Sequence, residues 1–248
     1  MTTTIQPTQD AYAEMVQAFN HFNAELFEGK LPPCLITYQR EKCVYGYLSH
    51  KRFFNPDTGV FTHELAMNPA YFPVVPMTEI MQTMVHEQAH LWQFEYGDPG
   101  RGRYHNQEWA AKMISIGLMP SSTGKPGGKM TGDKMGDYAI EGGPFQKALE
   151  KLLESHFRIT WFDKYPARHV HPAVLQEAML GLANGVDLTA NLGLAPGTIL
   201  TPDIPELAPA KPTRSKYVCE CTPKPIILMA KPGIKVRCLE CFAEFIEV

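Results

Sequence analysis

The pentapeptide His86-Glu87-Gln88-Ala89-His90 constrains this chain more than any other feature of it. Histidines four residues apart stand on one face of an α-helix, about one turn from each other. Two imidazoles placed in this way can share one divalent ion at about 2.0–2.1 Å. Glu87 projects toward the same mouth and can take a proton from water without being a ligand. With nine histidines in 248 residues, chance yields the pattern about 0.02 times. The flanking residues Met84, Val85, Leu91 and Trp92 are apolar. They bury the helix, and unpaired imidazoles in a buried helix require a reason.

The elements around the motif follow from periodicity. Pro76 precedes a helix predicted over 77–96, with Thr78 a candidate N-cap and Gly97 the stop. Upstream, Tyr12, Met15, Val16, Phe19, Phe22 and Leu26 recur at helical steps, predicting a helix over 10–28 that ends at Gly29. Three short strands follow at 35–38, 43–48 and 60–67, with a turn at Asn55-Pro56-Asp57-Thr58-Gly59. Cys34 and Cys43 read as strand residues. His63 shares a strand face with Phe61, Leu65 and Met67 and reads as a sheet residue rather than a ligand. After the turn Asp98-Pro99-Gly100 comes a helix over 106–116, closed by Gly117, and further helices fit 144–156 and 172–184.

A catalytic zinc requires a third protein ligand and an open fourth position. The extended metzincin pattern would place a glycine at 93 and a histidine at 96. The chain has Gln93 and Tyr96 there, so that class is excluded. Two candidates remain, His105 and Glu108. His105 is the better placed, because it follows the turn at 98–103 and opens a helix able to fold back on the first. Three neutral ligands would leave the ion its full charge, enough to bring the pKa of a water toward ~7. Tyr96 and Tyr104 are both candidates for stabilising an oxyanion.

Several further runs carry a family resemblance. They are Phe22-Asn23-Ala24-Glu25-Leu26-Phe27-Glu28-Gly29-Lys30-Leu31-Pro32, the glycine of Tyr45-Gly46-Tyr47, and Glu64-Leu65-Ala66-Met67-Asn68 before the motif. After it come His105-Asn106-Gln107-Glu108-Trp109 and Ile116-Gly117. Together they resemble the SprT-like zinc metalloproteases, the group that includes bacterial SprT and eukaryotic Spartan. The resemblance spans about residues 10–118 and the C-terminal module. It implies that His86, His90 and His105 bind zinc, that Glu87 is catalytic, and that the substrates are proteins crosslinked to DNA, a DNA-repair role.

Near the C-terminus, Cys219-x-Cys221 and Cys238-x₂-Cys241 are separated by residues 222–237, which include Lys231-Pro232-Gly233. Two cysteine pairs on two turns make a zinc-ribbon layout, and four thiolates leave no open position, so this zinc would be structural. The alternatives are a disulfide pair or free thiols. The SprT-like resemblance extends here through Tyr217. Between 211 and 237 seven Lys/Arg face one acid, Glu220. Lys216, Lys224, Lys231, Lys235 and Arg237 are therefore candidates for phosphate contacts, with a solvated basic face as the alternative.

Prolines at 196, 202, 205, 209 and 212 mark an extended linker. The Gly- and Lys-rich stretch 120–143 is no phosphate loop, because Thr123 stands where the first glycine belongs and Met130 follows Lys129. It reads as a mobile surface loop or a phosphate contact. His169-x-His171 lacks a nearby third ligand. A net charge of −3 excludes a wholly basic nucleic-acid binder. No apolar run reaches a membrane span and no secretory signal is visible, so the expected compartment is the cytoplasm.

The expectation is thus an α+β chain in four parts. A zincin-like, SprT-like core at 8–118 has a small antiparallel sheet and the HExxH helix. A Gly/Lys-rich loop and helical insertion occupy 119–195, a proline-rich linker 196–216, and a zinc ribbon 217–248. The expected function is zinc-dependent hydrolysis of peptide bonds in protein substrates, including proteins bound to DNA. The alternative is a non-catalytic, zinc-stabilised module that binds DNA or protein.

Overall fold

The structure, a computed structural model, describes residues 5–167 and 214–248. The predicted helix at 172–184, the His169/His171 pair and the proline-rich linker lie outside the described residues. The chain divides into two compact units, Met1–Leu200 and Thr201–Val248.

In the first unit, α1 (Pro7–Phe27) starts on a proline, whose fixed φ suits a first helical turn, and buries Met15, Phe19, Phe22 and Leu26. It ends where Glu28 turns left-handed. Asn23 then clasps the following loop, its amide donating to the Leu31 carbonyl and its oxygen accepting from the Leu31 N–H, both at 3.0 Å. Strands β1 (Leu35–Tyr38), β2 (Gly46–Phe54) and β3 (Phe61–Met67) form one sheet in the order β1-β3-β2.

This sheet corrects the expectation of an antiparallel one. β2 pairs antiparallel with β3, but β1 pairs parallel with it, Leu35 opposite Glu64 and Tyr38 opposite Met67. The connection from β1 returns through β2 before entering β3, so β1 and β3 run the same way. β2 also runs on to Phe54, past the predicted end at 48. The polar run Ser49-His50-Lys51-Arg52 breaks the apolar alternation, yet the ladder resumes with Phe53 opposite Thr62 after a register shift. Cys34 precedes β1, and Cys43 sits before β2 at φ 62°, so neither is a strand residue.

Helix α2 (Met77–Tyr96) packs its apolar face on this sheet, burying Ile80, Met81, Met84, Val85, Ala89 and Leu91. It starts after Pro76 with no side-chain cap, so Thr78 lies inside its first turn. The buried Gln88 donates to the Phe19 carbonyl at 2.8 Å, fixing α2 to α1. Next comes α3 (Gln107–Ser115), capped by Asn106, whose side chain accepts from the Trp109 N–H at 3.0 Å.

The stretch predicted as a surface loop begins and ends in paired strands. β4 (Leu118–Ser121) and β5 (Gly136–Ala139) form an antiparallel hairpin. Each strand has only four residues, too few for periodicity to register among the glycines. Helix α4 (Pro144–Glu154) closes the unit against α1, with Phe145 stacked on Phe22 at 5.8 Å.

The second unit is a three-stranded antiparallel sheet of β6 (Ser215–Val218), β7 (Ile227–Ala230) and β8 (Ile246–Glu247), ordered β7-β6-β8. The buried Tyr217 organises it. Its hydroxyl lies 2.9 Å from both the Lys231 carbonyl and the Glu247 carboxylate, and it accepts from the Ile234 N–H at 3.2 Å. Among the described residues no helix is long and apolar enough to cross a membrane.

Candidate metal centre

Helix α2 carries His86 and His90 one turn apart, and the segment between α2 and α3 delivers His105 to them. The Nε2 atoms of His90 and His105 are 3.1 Å apart, and those of His105 and His86 are 3.4 Å apart. A tetrahedral zinc with ligands at about 2.0–2.1 Å separates two nitrogens by about 3.3 Å. Two of the three donor pairs thus stand at the spacing that a single ion requires, and all three donors lie within 4.8 Å of one another. Among the described residues they form one of two His/Cys/Asp/Glu groups compact enough to hold a metal.

Two of the rings are held in the required tautomer. His86 directs Nδ1 to the Asp137 carboxylate at 2.9 Å, and His105 directs Nδ1 to the Gly132 carbonyl at 3.0 Å. A ring that donates through Nδ1 presents an unprotonated Nε2. Beneath all three lies Trp109, fully buried, its ring 4.4 Å from that of His105, 4.9 Å from that of His86 and 5.3 Å from that of His90.

The electrostatics favour neutral donors at two positions. Burial, then the neighbouring His86 and His105, push His90 well below the usual imidazole range. Burial and His86 bring His105 down to about 4. Burial also opposes the charged form of His86, but the Asp137 hydrogen bond and the Glu87 and Asp137 charges outweigh it and raise the ring. Glu87 is buried, and desolvation pushes its carboxyl up against the opposing pull of His86 and of a backbone hydrogen bond from Leu48 on β2.

The alternative ligand Glu108 is engaged elsewhere. Its Oε2 accepts from Gln93 and from the Asp98 N–H, both at 2.8 Å, and so braces the loop that leads to His105. Tyr96 donates its hydroxyl to the Lys30 carbonyl at 2.5 Å, and Tyr104 adjoins His105, partly exposed. His63 is buried and pairs with Glu95 at 3.1 Å, outside the histidine group.

The second group comprises Cys219, Cys221, Cys238 and Cys241. The Cys221 and Cys238 sulfurs are 3.6 Å apart, far beyond a disulfide bond of about 2.05 Å and close to the ~3.8 Å edge of a tetrahedral zinc–thiolate site. All six cysteines are free. The N–H groups of Cys241 and Glu240 draw the Cys238 thiol down, whereas Cys219 and the other thiols beside Cys221 hold it up. Lys216, Lys224, Lys231, Lys235 and Arg237 are all exposed. Glu240, Glu244 and Glu247 follow directly, so the unit is less basic than residues 211–237 alone.

Sequence reasoning missed Asp137, Gly132 and Gln82. Asp137 sits in a four-residue strand inside a glycine-rich stretch, and no spacing rule connects it to His86.

A family model described as the SprT-like family matches residues 15–125. A Salmonella typhimurium protein described as an uncharacterized protein in the mucB 3' region is 49% identical over 59 residues, 24% of this chain and 80% of that protein. No solved structure matches.

Proposed function

Because this chain belongs to the SprT-like family, we propose that it is a zinc-dependent metallopeptidase with a zincin-like core. In this reading His86, His90 and His105 hold the ion and Glu87 is the general base. The observation that carries the reading is the set of three imidazole Nε2 atoms, spaced at 3.1 and 3.4 Å along its two measured edges, beside a buried carboxyl. A zinc ion held there would supply Lewis acidity toward the scissile carbonyl and a water.

The chain's own residues do the rest. Glu87 accepts the proton of the attacking water and returns it to the leaving amine. The Leu48 N–H orients the carboxyl. β2, which carries Leu48, borders only β3 among the described residues. Its outer edge offers an extended polypeptide main-chain partners, and this supports a protein substrate.

Cys219, Cys221, Cys238 and Cys241 would hold a second, structural zinc. The exposed Lys216, Lys224, Lys231, Lys235 and Arg237 support a substrate held close to DNA, through phosphate contacts without base readout. The parts proposed are a core at 8–118, an insertion at 119–195, a linker at 196–216 and a zinc ribbon at 217–248.

The test is zinc content and cleavage of an unfolded protein, with and without DNA, for wild type and Glu87→Gln. The variant is expected to keep its zinc and lose cleavage by about 10²–10⁴-fold. Equal cleavage by both removes the assigned role. The alternative, a non-catalytic zinc-stabilised module binding DNA or protein, predicts no cleavage by either chain.

A further inference from the structure

The hairpin β4–β5 touches the histidine cluster at two points. Asp137 on β5 accepts from His86, and Gly132, in the loop between the strands, accepts from His105. Both residues lie beyond the stretch 15–125 that the family model matches.

The loop contact is doubled by the backbone. His105 N–H donates to the Gly132 carbonyl at 2.9 Å, and Gly132 N–H donates back to the His105 carbonyl at 3.1 Å. Gly132 stands at φ 154°, a conformation that side-chain-bearing residues rarely adopt. That backbone geometry aims one carbonyl at both the amide and the ring of His105.

Asp137 is the less expected partner. Its side chain is only 7% exposed, and its two oxygens meet His86 Nδ1 at 2.9 Å and Gln82 Nε2 at 3.3 Å. Glu87, a second buried carboxyl, is next to the same ring. A buried carboxylate is costly unless positive charge answers it. Gln82, the other partner of this carboxylate, is neutral. A carboxylate on Nδ1 leaves the far nitrogen of the His86 ring to a cation, the arrangement of carboxylate–histidine–metal triads.

We propose that Asp137, braced by Gln82, is a positioning residue that fixes the ring and tautomer of His86 and so sets the metal affinity of the histidine site. Gly132 does the corresponding work for His105. This rests on the reading that the three histidines hold the ion, and the experiment keeps the two apart.

The full-length chain, stripped with chelator, is titrated with Co²⁺ and then with Zn²⁺ in competition. Thiolate-to-cobalt charge-transfer absorption reports the cysteine cluster, and the ligand-field bands lost in His86→Ala report the histidines. His86→Ala is the reference. Asp137→Asn, which keeps an acceptor but not the charge, is expected to weaken the histidine site by roughly 10-fold, and Asp137→Ala by up to roughly 100-fold. Gln82→Met, which touches no ligand, should weaken it less. The cysteine bands and the apo melting temperature of Asp137→Asn should match wild type. Wild-type affinity in both Asp137 variants overturns the proposal. So does a lowered apo melting temperature with unchanged affinity, since that marks a purely structural role. If wild type and His86→Ala take up the same number of ions, the histidine reading itself fails.

Discussion

Replacing Gly46 by alanine tests whether the close seat of α2 on the sheet sets the site. A Cβ at position 46 would lie 2.8 Å from the Ala66 carbonyl oxygen, 2.8 Å from Thr83 Cγ2 and 3.5 Å from Met67 Sδ. Ordinary contact begins near 3.4 Å, so two neighbours must each retreat by about 0.6 Å, a strain of the overpacking kind. Neither yields easily. The Ala66 oxygen belongs to the β3 backbone, paired opposite Tyr47. The Thr83 methyl is fixed by a β-branched side chain whose hydroxyl donates to the Glu79 carbonyl at 3.0 Å. Overpacking of this kind costs about 1–3 kcal/mol. For a chain of this size that lowers the melting temperature by about 2–12 °C. The same shift displaces Leu48, two residues along β2, from the Glu87 carboxyl, so kcat/KM should fall as well. Thermal melts of the apo chain, read beside cleavage rates, make the measurement. Adding Thr83→Ser removes one of the two clashing atoms and should restore part of the loss. If Gly46→Ala melts within about 1 °C of wild type, the steric reasoning is wrong.

Three further outcomes are expected. His105→Ala should abolish metal uptake at the histidines. Glu108→Ala should keep the metal but lose about 0.5–1.5 kcal/mol in denaturant melts, because two hydrogen bonds that brace the loop, from Gln93 and the Asp98 N–H, are lost. The reverse pattern would make Glu108 the ligand. Trp109→Ala should cost about 3–5 kcal/mol through the cavity it opens, and Trp109→Phe clearly less. Equal melting of the two would deny the indole its place under the rings. Cys219→Ser should lower zinc content by one ion per chain while cleavage of a short peptide continues at a wild-type rate. Loss of that cleavage would tie the cysteine unit to catalysis.

What the sequence disclosed divides by distance along the chain. His86, Glu87 and His90 were legible because one helical turn relates them, and α2 runs over the predicted Met77–Tyr96. His105 was legible as a candidate only, since a turn and a new helix narrowed the choice to it and Glu108. The structure separates the two through Gln93 and Asp98, which occupy the Glu108 carboxylate. The parallel pairing of β1 with β3 was not legible. Alternation indicates which face of a strand is buried but not which neighbour it pairs with. β4 and β5 were hidden for another reason. They set residues such as Pro120 and Asp137 opposite each other, whose side chains carry no strand signature.

The part that stayed hidden has a physical consequence for how the site forms. The helix alone brings two imidazoles together, a local arrangement that any stretch of formed α2 offers. The third donor, and the acceptors that orient two of the three rings, arrive through contacts spanning 15 to 51 residues of chain. Such contacts exist only once the loop after α2 and the β4–β5 hairpin have closed on the helix. An ion that prefers three oriented donors to two therefore binds the closed arrangement and stabilises it by mass action. Ligand geometry is thus a result of that packing, and a change that loosens the hairpin should weaken metal uptake.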